Sequence, residues 1–283
     1  MWSALLLKWV SVWRNCWVRF TTCRSSVSRR DAAPTGQLFP YWSLTMSTFR
    51  FQQFSVRQER SAMKVCTDAT LFGAMAPVKG CERVLDIGTG TGLLALMAAQ
   101  LGASHITGVE LTEAAFDDAR FNFHNSLWDS RLEAVHCSIQ HFSVNAPDRY
   151  DLIISNPPFF HNHSKTSDQL KRQARHTDLL QFPDLLASVD RLLADSGHFY
   201  LLLPSHAVTG FAKMALEHDL HPVKQTDFRG YSHNQAKVSA LTFCHQQQAC
   251  RSRLLTIYQS DRIYSQESRH YLSPFLLRFS QQN

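Results

Sequence analysis

The chain has no CxxC pair, and its seven cysteines (Cys16, Cys23, Cys66, Cys81, Cys137, Cys244 and Cys250) are an odd number. That excludes a disulfide-stapled secreted scaffold as the expectation and leaves reduced intracellular thiols in a cytoplasmic protein. Metal-ligand spacing is missing too. His161 and His163 stand close together, but no second ligand pair accompanies them, so they read as loop histidines and no metal is expected. Long hydrophobic runs are also absent. Ala4–Leu7 is broken by Lys8, so no span of about 18 apolar residues exists and no membrane anchor is expected. No charges precede that run, which argues against a secretory signal. Internal repeats and low-complexity tracts do not occur.

What is present is a chain of 283 residues, 44% hydrophobic, long enough for one large or two modest domains with a real core. Its formal charge of +6 is unevenly spread. Residues 1–45 hold Lys8, Arg14, Arg19, Arg24, Arg29 and Arg30 against the single acid Asp31. Five of the six tryptophans lie there as well. An Arg- and Ser-rich, acid-poor leader resembles an organellar transit peptide. The simpler expectation is a poorly ordered extension upstream of a true start at Met46, with one domain over residues 46–283. Within that domain residues 46–160 are net acidic and 161–283 net basic, a balance compatible with nucleic acid.

After Met46 the pattern alternates between strand and helix. Segments at 83–87, 106–110, 132–137, 151–155 and 198–203 read as strands, the apolar run ending at Ser155 as a buried one. Helical stretches over 67–76, 93–101, 113–126 and 182–193 separate most of them, and Ser196-Gly197 reads as a turn. Further strands are expected at 237–244 and 253–258. Repeated β-α-β units call for an α/β fold with a doubly wound, mostly parallel sheet and an antiparallel edge.

Two segments carry chemistry. Asp86-Ile-Gly-Thr-Gly-Thr-Gly-Leu93 closes a strand and opens a helix, with Gly88, Gly90 and Gly92 allowing a tight turn and close approach to a ligand. The spacing is GxGxG rather than the GxGxxG of dinucleotide folds. Glu110 ends the next strand, where an acid can accept both ribose hydroxyls of an adenosyl group, or can be an ordinary strand-end acid. Asp86 can take an ammonium, order water near it, or cap the glycine turn. Ser138 and Ile139 follow the third strand, where an adenine ring would lie. The second segment, Asn156-Pro157-Pro158-Phe159, follows the strand at 151–155. Asn156 offers an acceptor oxygen. The two prolines stiffen the loop and remove two N–H donors, leaving acceptor carbonyls, including that of Pro157. Phe159 offers a flat face for stacking. Such a corner suits a planar amine whose two N–H groups are both accepted. Beyond it lie Lys165, Lys171, Arg172, Arg175 and His176, a phosphate clamp or a solvated helix face.

The order D-I-G-T-G-T-G-L, V-E-L, N-P-P-F resembles class I S-adenosylmethionine-dependent methyltransferases that act on planar amino groups, with their Rossmann-like sheet. The resemblance narrows to the bacterial tRNA1(Val) adenine-37 N6-methyltransferases. It runs from Phe49 to Phe279 and includes Gln53-Phe54, Arg57, Ala62-Met-Lys-Val65, Thr67-Asp68, Ala76-Pro-Val78, Asp151–Pro158, Gln173-Ala-Arg175 and Tyr264-Ser265. It implies S-adenosylmethionine as donor and the adenine beside a tRNA anticodon as target. It places Lys64, Thr67 and Asp68 over the donor's methionine end. Cys66 and Ala69 stand where that family usually has glycines, Ser138 where an aspartate is usual, and Phe159 where tyrosine is commoner.

Other chemistries share the fold. Release-factor glutamine methyltransferases carry a similar loop but place a helical domain before the glycine turn, and only 40 residues separate Met46 from Asp86 here. Ribosomal guanine-N2 enzymes usually have a longer front half, and DNA adenine enzymes an added recognition region. A catalytically inactive RNA-binding module would have no reason to keep Asn156, Glu110 and the glycines together.

Overall fold

Arg83-Val-Leu-Asp-Ile87 forms a strand whose last four residues are buried, and the sheet extends outward from it on both sides. The computed structural model describes residues 48–61, 63–146, 148–157 and 180–280. These all fall within one unit, Met46–Asn283. A hairpin of β1 (Thr48–Arg50) and β2 (Ser55–Arg57) precedes α1 (Thr67–Ala74). Next come β3 (Arg83–Ile87), α2 (Leu93–Gln100), β4 (His105–Glu110), α3 (Glu113–His124), β5 (Leu132–His136), α4 (Ile139–Asn145) and β6 (Tyr150–Ser155). The second half has α5 (Phe182–Leu192), β7 (Leu193–Pro204), α6 (Val208–Leu216), β8 (His221–Arg229), β9 (Val238–Cys244) and β10 (Arg251–Thr256). It closes with a small hairpin, β11 (Tyr258–Ser260) and β12 (Ile263–Tyr264), and α7 (Gln266–Leu272).

The main sheet runs β10-β8-β9-β7-β6-β3-β4-β5. Every neighbouring pair is parallel except the two made by β9, which runs against both β7 and β8. The doubly wound, mostly parallel sheet expected from the sequence is thus present, with its antiparallel pairing on the C-terminal side. Both faces are covered, as a parallel sheet requires. Alternate residues of each strand serve opposite faces. Val84, Leu152 and Ile154 join one core with Leu71, Phe72, Leu96 and Met97. Leu85, Ile87 and Ile153 join the other with Leu186, Phe199, Phe211 and Phe243. α1 is fixed to the sheet by Phe72, whose ring stacks on Tyr200 at 4.1 Å while the Tyr200 hydroxyl donates to the Phe72 carbonyl at 3.1 Å.

The structure corrects the expected turn at Ser196-Gly197. These residues lie inside β7, which begins at Leu193. Tyr150 pairs with Leu193 and Leu152 with His198, so the intervening residues bulge out of the ladder. Gly197 is needed there because an added Cβ would fall 2.9 Å from the Tyr150 carbonyl oxygen. The sequence reading also missed β8. Its residues are largely polar, and among Lys224–Arg229 only Thr226 and Phe228 are buried. Tertiary pairing with β9 and β10 makes it a strand.

The front of the chain is latched twice. Gln52 Nε2 donates to the Ser273 and Leu276 carbonyls at 2.7 and 2.8 Å, and Phe51 bridges to Leu276. On the other side Asp118, fully buried, accepts from Arg57 Nε and from the Arg60 and Ser61 amides, all at 3.0 Å. Asn122 adds a bond from its Nδ2 to the Thr91 carbonyl at 2.8 Å, which ties this latch to the glycine turn. Replacing Asp118 by Ala strands a guanidinium and two amides. It should lower unfolding free energy by about 3 kcal/mol in urea titration; an unshifted midpoint would contradict the latch.

Candidate active site

A parallel sheet opens a crevice where its strand order reverses. That reversal falls at β3, which lies between β4 on one side and β6 on the other. Ile87 at the end of β3 pairs with Ser155 at the end of β6. The Ser155 hydroxyl, itself buried, donates to the Ile87 carbonyl at 3.0 Å. The residues that follow, Gly88 and Asn156, therefore leave adjacent strand ends, about 5 Å apart in a ladder of this kind. Asn156 is half-buried and Pro157 buried.

The glycine turn is shaped for occupancy. Gly88, Gly90 and Gly92 have φ of 69°, 59° and 80°. Two of them serve different ends. A Cβ at Gly92 would lie 2.4 Å from the Phe123 ring, so that glycine lets α3 pack. A Cβ at Gly88 would meet nothing within 4 Å, so the exposed backbone there faces open space that a ligand can fill. The Gly88 and Thr89 amides both donate to the Val109 carbonyl, at 2.9 and 3.1 Å, which holds the turn against β4.

Two buried carboxylates flank this turn. Glu110 accepts from the Gly90 amide through Oε2 at 3.0 Å, and from the Thr112 amide and hydroxyl through Oε1 at 2.9 and 2.8 Å. Three of its roughly four acceptor positions are thereby filled. One acceptor position, on Oε2, is left by these internal bonds. Asp86 is fully buried, and its Oδ2 accepts from the Thr89 hydroxyl at 2.7 Å. Its Oδ1 is buried without a hydrogen-bond partner. Burial pushes the Asp86 carboxyl up to about 7, the Thr89 hydroxyl and the Ala95 backbone pull it down, and the Glu110 charge pushes it up again. A cation placed near Asp86 would relieve that strain.

The Methyltransferase small domain matches residues 62–206. A tRNA1(Val) (adenine(37)-N6)-methyltransferase of Flavobacterium psychrophilum is 38% identical over 221 residues, 77% of this chain and 94% of that protein. The chain belongs to this methyltransferase family. A member from Christiangramia forsetii is 37% identical over 81% of this chain and 98% of its own length. The crystal structure of a predicted O-methyltransferase from Agrobacterium tumefaciens covers 72% of this chain and 94% of its own with a TM-score of 0.58, and at 16% identity it shows the fold alone.

For this family of methyltransferases the donor is S-adenosylmethionine, and the residues present fit it. Gly88 leaves room for it, Glu110 Oε2 keeps an acceptor position, and Asp86 Oδ1 is an acceptor in want of a donor. Lys64 is half-buried and its Nζ donates to the Gln58 carbonyl. Thr67 opens α1 and shares a 3.1 Å hydrogen bond with the Tyr258 hydroxyl. Asp68 follows it; burial pushes its carboxyl above the ordinary range and the Lys237 charge pulls it down. Ser138 caps α4, accepting from the His141 amide at 3.2 Å, and Ile139 behind it is buried. The Ser138 oxygen thus has a structural task where the family usually has aspartate. Pro158, Phe159, Arg172 and Arg175, with His161, His163, Lys165, Lys171 and His176, lie outside the described residues. Among the described residues no cluster of three or more His, Cys, Asp or Glu could hold a metal, and no helix is long and apolar enough to cross a membrane. Sequence reasoning missed Thr89, Thr112 and Ser155, whose short polar side chains become informative only once the strand ends are side by side.

The Asp86 carboxyl titrates near 7 in the folded chain and near 3.9 unfolded, so the folded chain binds the extra proton between those values. Stability therefore falls as pH rises across that window and levels off above it. Asp86→Asn should raise unfolding free energy at pH 8 by up to roughly 4 kcal/mol and change it little at pH 4. The same variant should weaken S-adenosylmethionine about tenfold by calorimetry; an equal gain at both pH values, or unaltered donor affinity, would contradict this reading of Asp86.

Proposed function

We propose that the chain methylates the N6 amine of adenine 37, next to the anticodon of tRNA1(Val), in the cytoplasm. The reading rests on one observation above all: Asn156 and Gly88 emerge together from the paired ends of β6 and β3. It draws further support from relatives that carry this activity in their names over almost their full length.

S-adenosylmethionine, when bound, supplies an electrophilic methyl group. The chain's own residues do the rest by positioning. Glu110 holds the glycine turn in shape and accepts a ribose hydroxyl, while Asp86 answers the donor's ammonium. Lys64, Thr67, Asp68, Ser138 and Ile139 complete the donor's surroundings. The target adenine must leave its stack, which for a loop base costs about a few kcal/mol. Phe159 stacks on the extruded ring, a contribution of roughly 1–3 kcal/mol, and Pro158 keeps the corner rigid. The Asn156 side-chain oxygen accepts one N6–H and the Pro157 carbonyl the other. With both hydrogens held, the amine's lone pair is drawn out of conjugation with the ring and becomes the nucleophile. After transfer the nitrogen is acidic and its proton passes to solvent, so no strong base is required. Arg172 and Arg175 contribute positive charge to the RNA backbone. Positioning of this kind is exacting, because displacement by an ångström costs about a hundredfold in rate.

The test is tritiated-methyl transfer onto unmodified tRNA1(Val), followed by mass spectrometry of its nucleosides. N6-methyladenosine at position 37 is the expected product; label elsewhere, or in protein or DNA alone, would overturn the proposal. Asn156→Ala should reduce turnover by at least about a hundredfold while leaving S-adenosylmethionine affinity in calorimetry unaltered. Near-normal turnover would remove Asn156 from its assigned role.

A further inference from the structure

The carboxyl edge of the sheet carries a second feature that neither donor nor target adenine uses. Loop 230–237 joins β8 to β9 at that edge, and Tyr258 follows β10 at the same edge. The His233 ring runs parallel to the Tyr231 ring and offset from it, with planes 5° apart and centroids at 5.7 Å. Tyr231 leans on Tyr258 at 5.5 Å, and Tyr258 stacks on Tyr264 at 5.1 Å. This row begins in the core at Tyr264, which is buried, and reaches the surface through a half-buried Tyr231 to an exposed His233. Core packing accounts for its inner rings. It does not account for an exposed imidazole held parallel to a tyrosine at the tip.

The loop is held in that shape by its own polar groups. Asn234 Oδ1 accepts from the Tyr231 amide at 3.0 Å, and the Gly230 carbonyl accepts from the Tyr258 amide at 2.8 Å. The Phe228 carbonyl accepts from the Lys237 amide at 3.1 Å. The loop's C-terminal end and its neighbour Tyr258 border the candidate active site. The Tyr258 hydroxyl meets Thr67 at the start of α1, and Lys237, exposed, lies near enough to Asp68 to act on its charge. At this edge Arg229 ends β8 and Lys237 ends the loop, while Arg253, further down β10, is paired with Glu267. Flat rings beside the cations Arg229 and Lys237 match a single-stranded polyanion with stacking bases.

We propose that Tyr231 and His233 form a stacking platform for an unpaired nucleobase flanking the target adenine, with Lys237 meeting a backbone phosphate. This rests on the reading of the substrate as an RNA loop and adds the surface that grips it. The platform holds the neighbouring nucleotide while the target base turns toward Asn156, so its contribution is to substrate affinity rather than to the transfer step.

The test uses the full chain and an unmodified anticodon stem-loop oligonucleotide of tRNA1(Val). Binding is followed by fluorescence anisotropy without donor, and transfer by steady-state kinetics. Combined Tyr231→Ala and His233→Ala should weaken binding and raise KM about tenfold or more, with kcat and S-adenosylmethionine affinity little changed. Combined Tyr231→Phe and His233→Phe should bind as the wild type does, because a flat face remains. Wild-type affinity in the alanine pair, or equal loss in the phenylalanine pair, overturns the platform. Should the alanine pair also lose donor binding, the phenylalanine pair decides. A wild-type chain that binds the oligonucleotide through this platform but methylates no adenine in it would instead remove the proposed function and leave the platform standing; a wild-type chain that does not bind it removes both.

Discussion

The pairing of Ile87 with Ser155 is the constraint on which the site depends. Two apolar strands meet in register, and a buried hydroxyl crosses between them at 3.0 Å. Both loops of the site begin one residue beyond that pair. Gly88 opens the turn on one strand, and Asn156 opens the acceptor corner on the other. Gly88 and Asn156, the first residues after these strands, are thereby fixed by a buried pair. A catalyst that works by placing a weak nucleophile needs such anchoring, because small displacements cost most of the rate.

Around that pair the molecule keeps polar groups that its own stability does not favour. Asp86 is sealed in the core with one oxygen unpartnered and its carboxyl pushed up to about 7. Glu110 uses most of its capacity to hold the Gly90 amide and Thr112. The two acids differ: Glu110 is well satisfied by internal hydrogen bonds, whereas burial favours the neutral form of Asp86. Asn122 extends the same turn outward, joining the Thr91 carbonyl to the β2 segment and its Asp118 latch. The site is therefore coupled to the front of the chain through polar bonds, not only through packing.

Much of this could be read from the sequence, for identifiable reasons. β3 and β6 are rich in Val, Leu and Ile, and Leu152–Ile154 is an unbroken apolar run, so their burial was written in them. The glycines at 88, 90 and 92 all adopt positive φ, the conformation that their spacing suggested. What could not be read depends on partners distant in the chain. β8 looks polar because few of its side chains reach the core, and only β9 and β10 make it a strand. The Ser196-Gly197 turn signal marked a bulge, since the local chemistry of a bend is the same whether or not the ladder resumes beyond it. Asp118, Asn122 and the Tyr231–His233 stack have no local signature at all; their partners lie far off in sequence or show their geometry only in the folded loop.

The central claim is that an acceptor corner after β6 presents a purine amine to a donor lying along the glycine turn. A crystal structure of the chain with S-adenosylhomocysteine and the anticodon stem-loop addresses it directly. The account predicts the adenine N6 within hydrogen-bond reach of both the Asn156 side-chain oxygen and the Pro157 carbonyl, with the ligand's adenosyl portion beside Gly88 and Glu110. A purine bound elsewhere, or an Asn156 side chain turned away from the ligand with no space for a base between them, would contradict it.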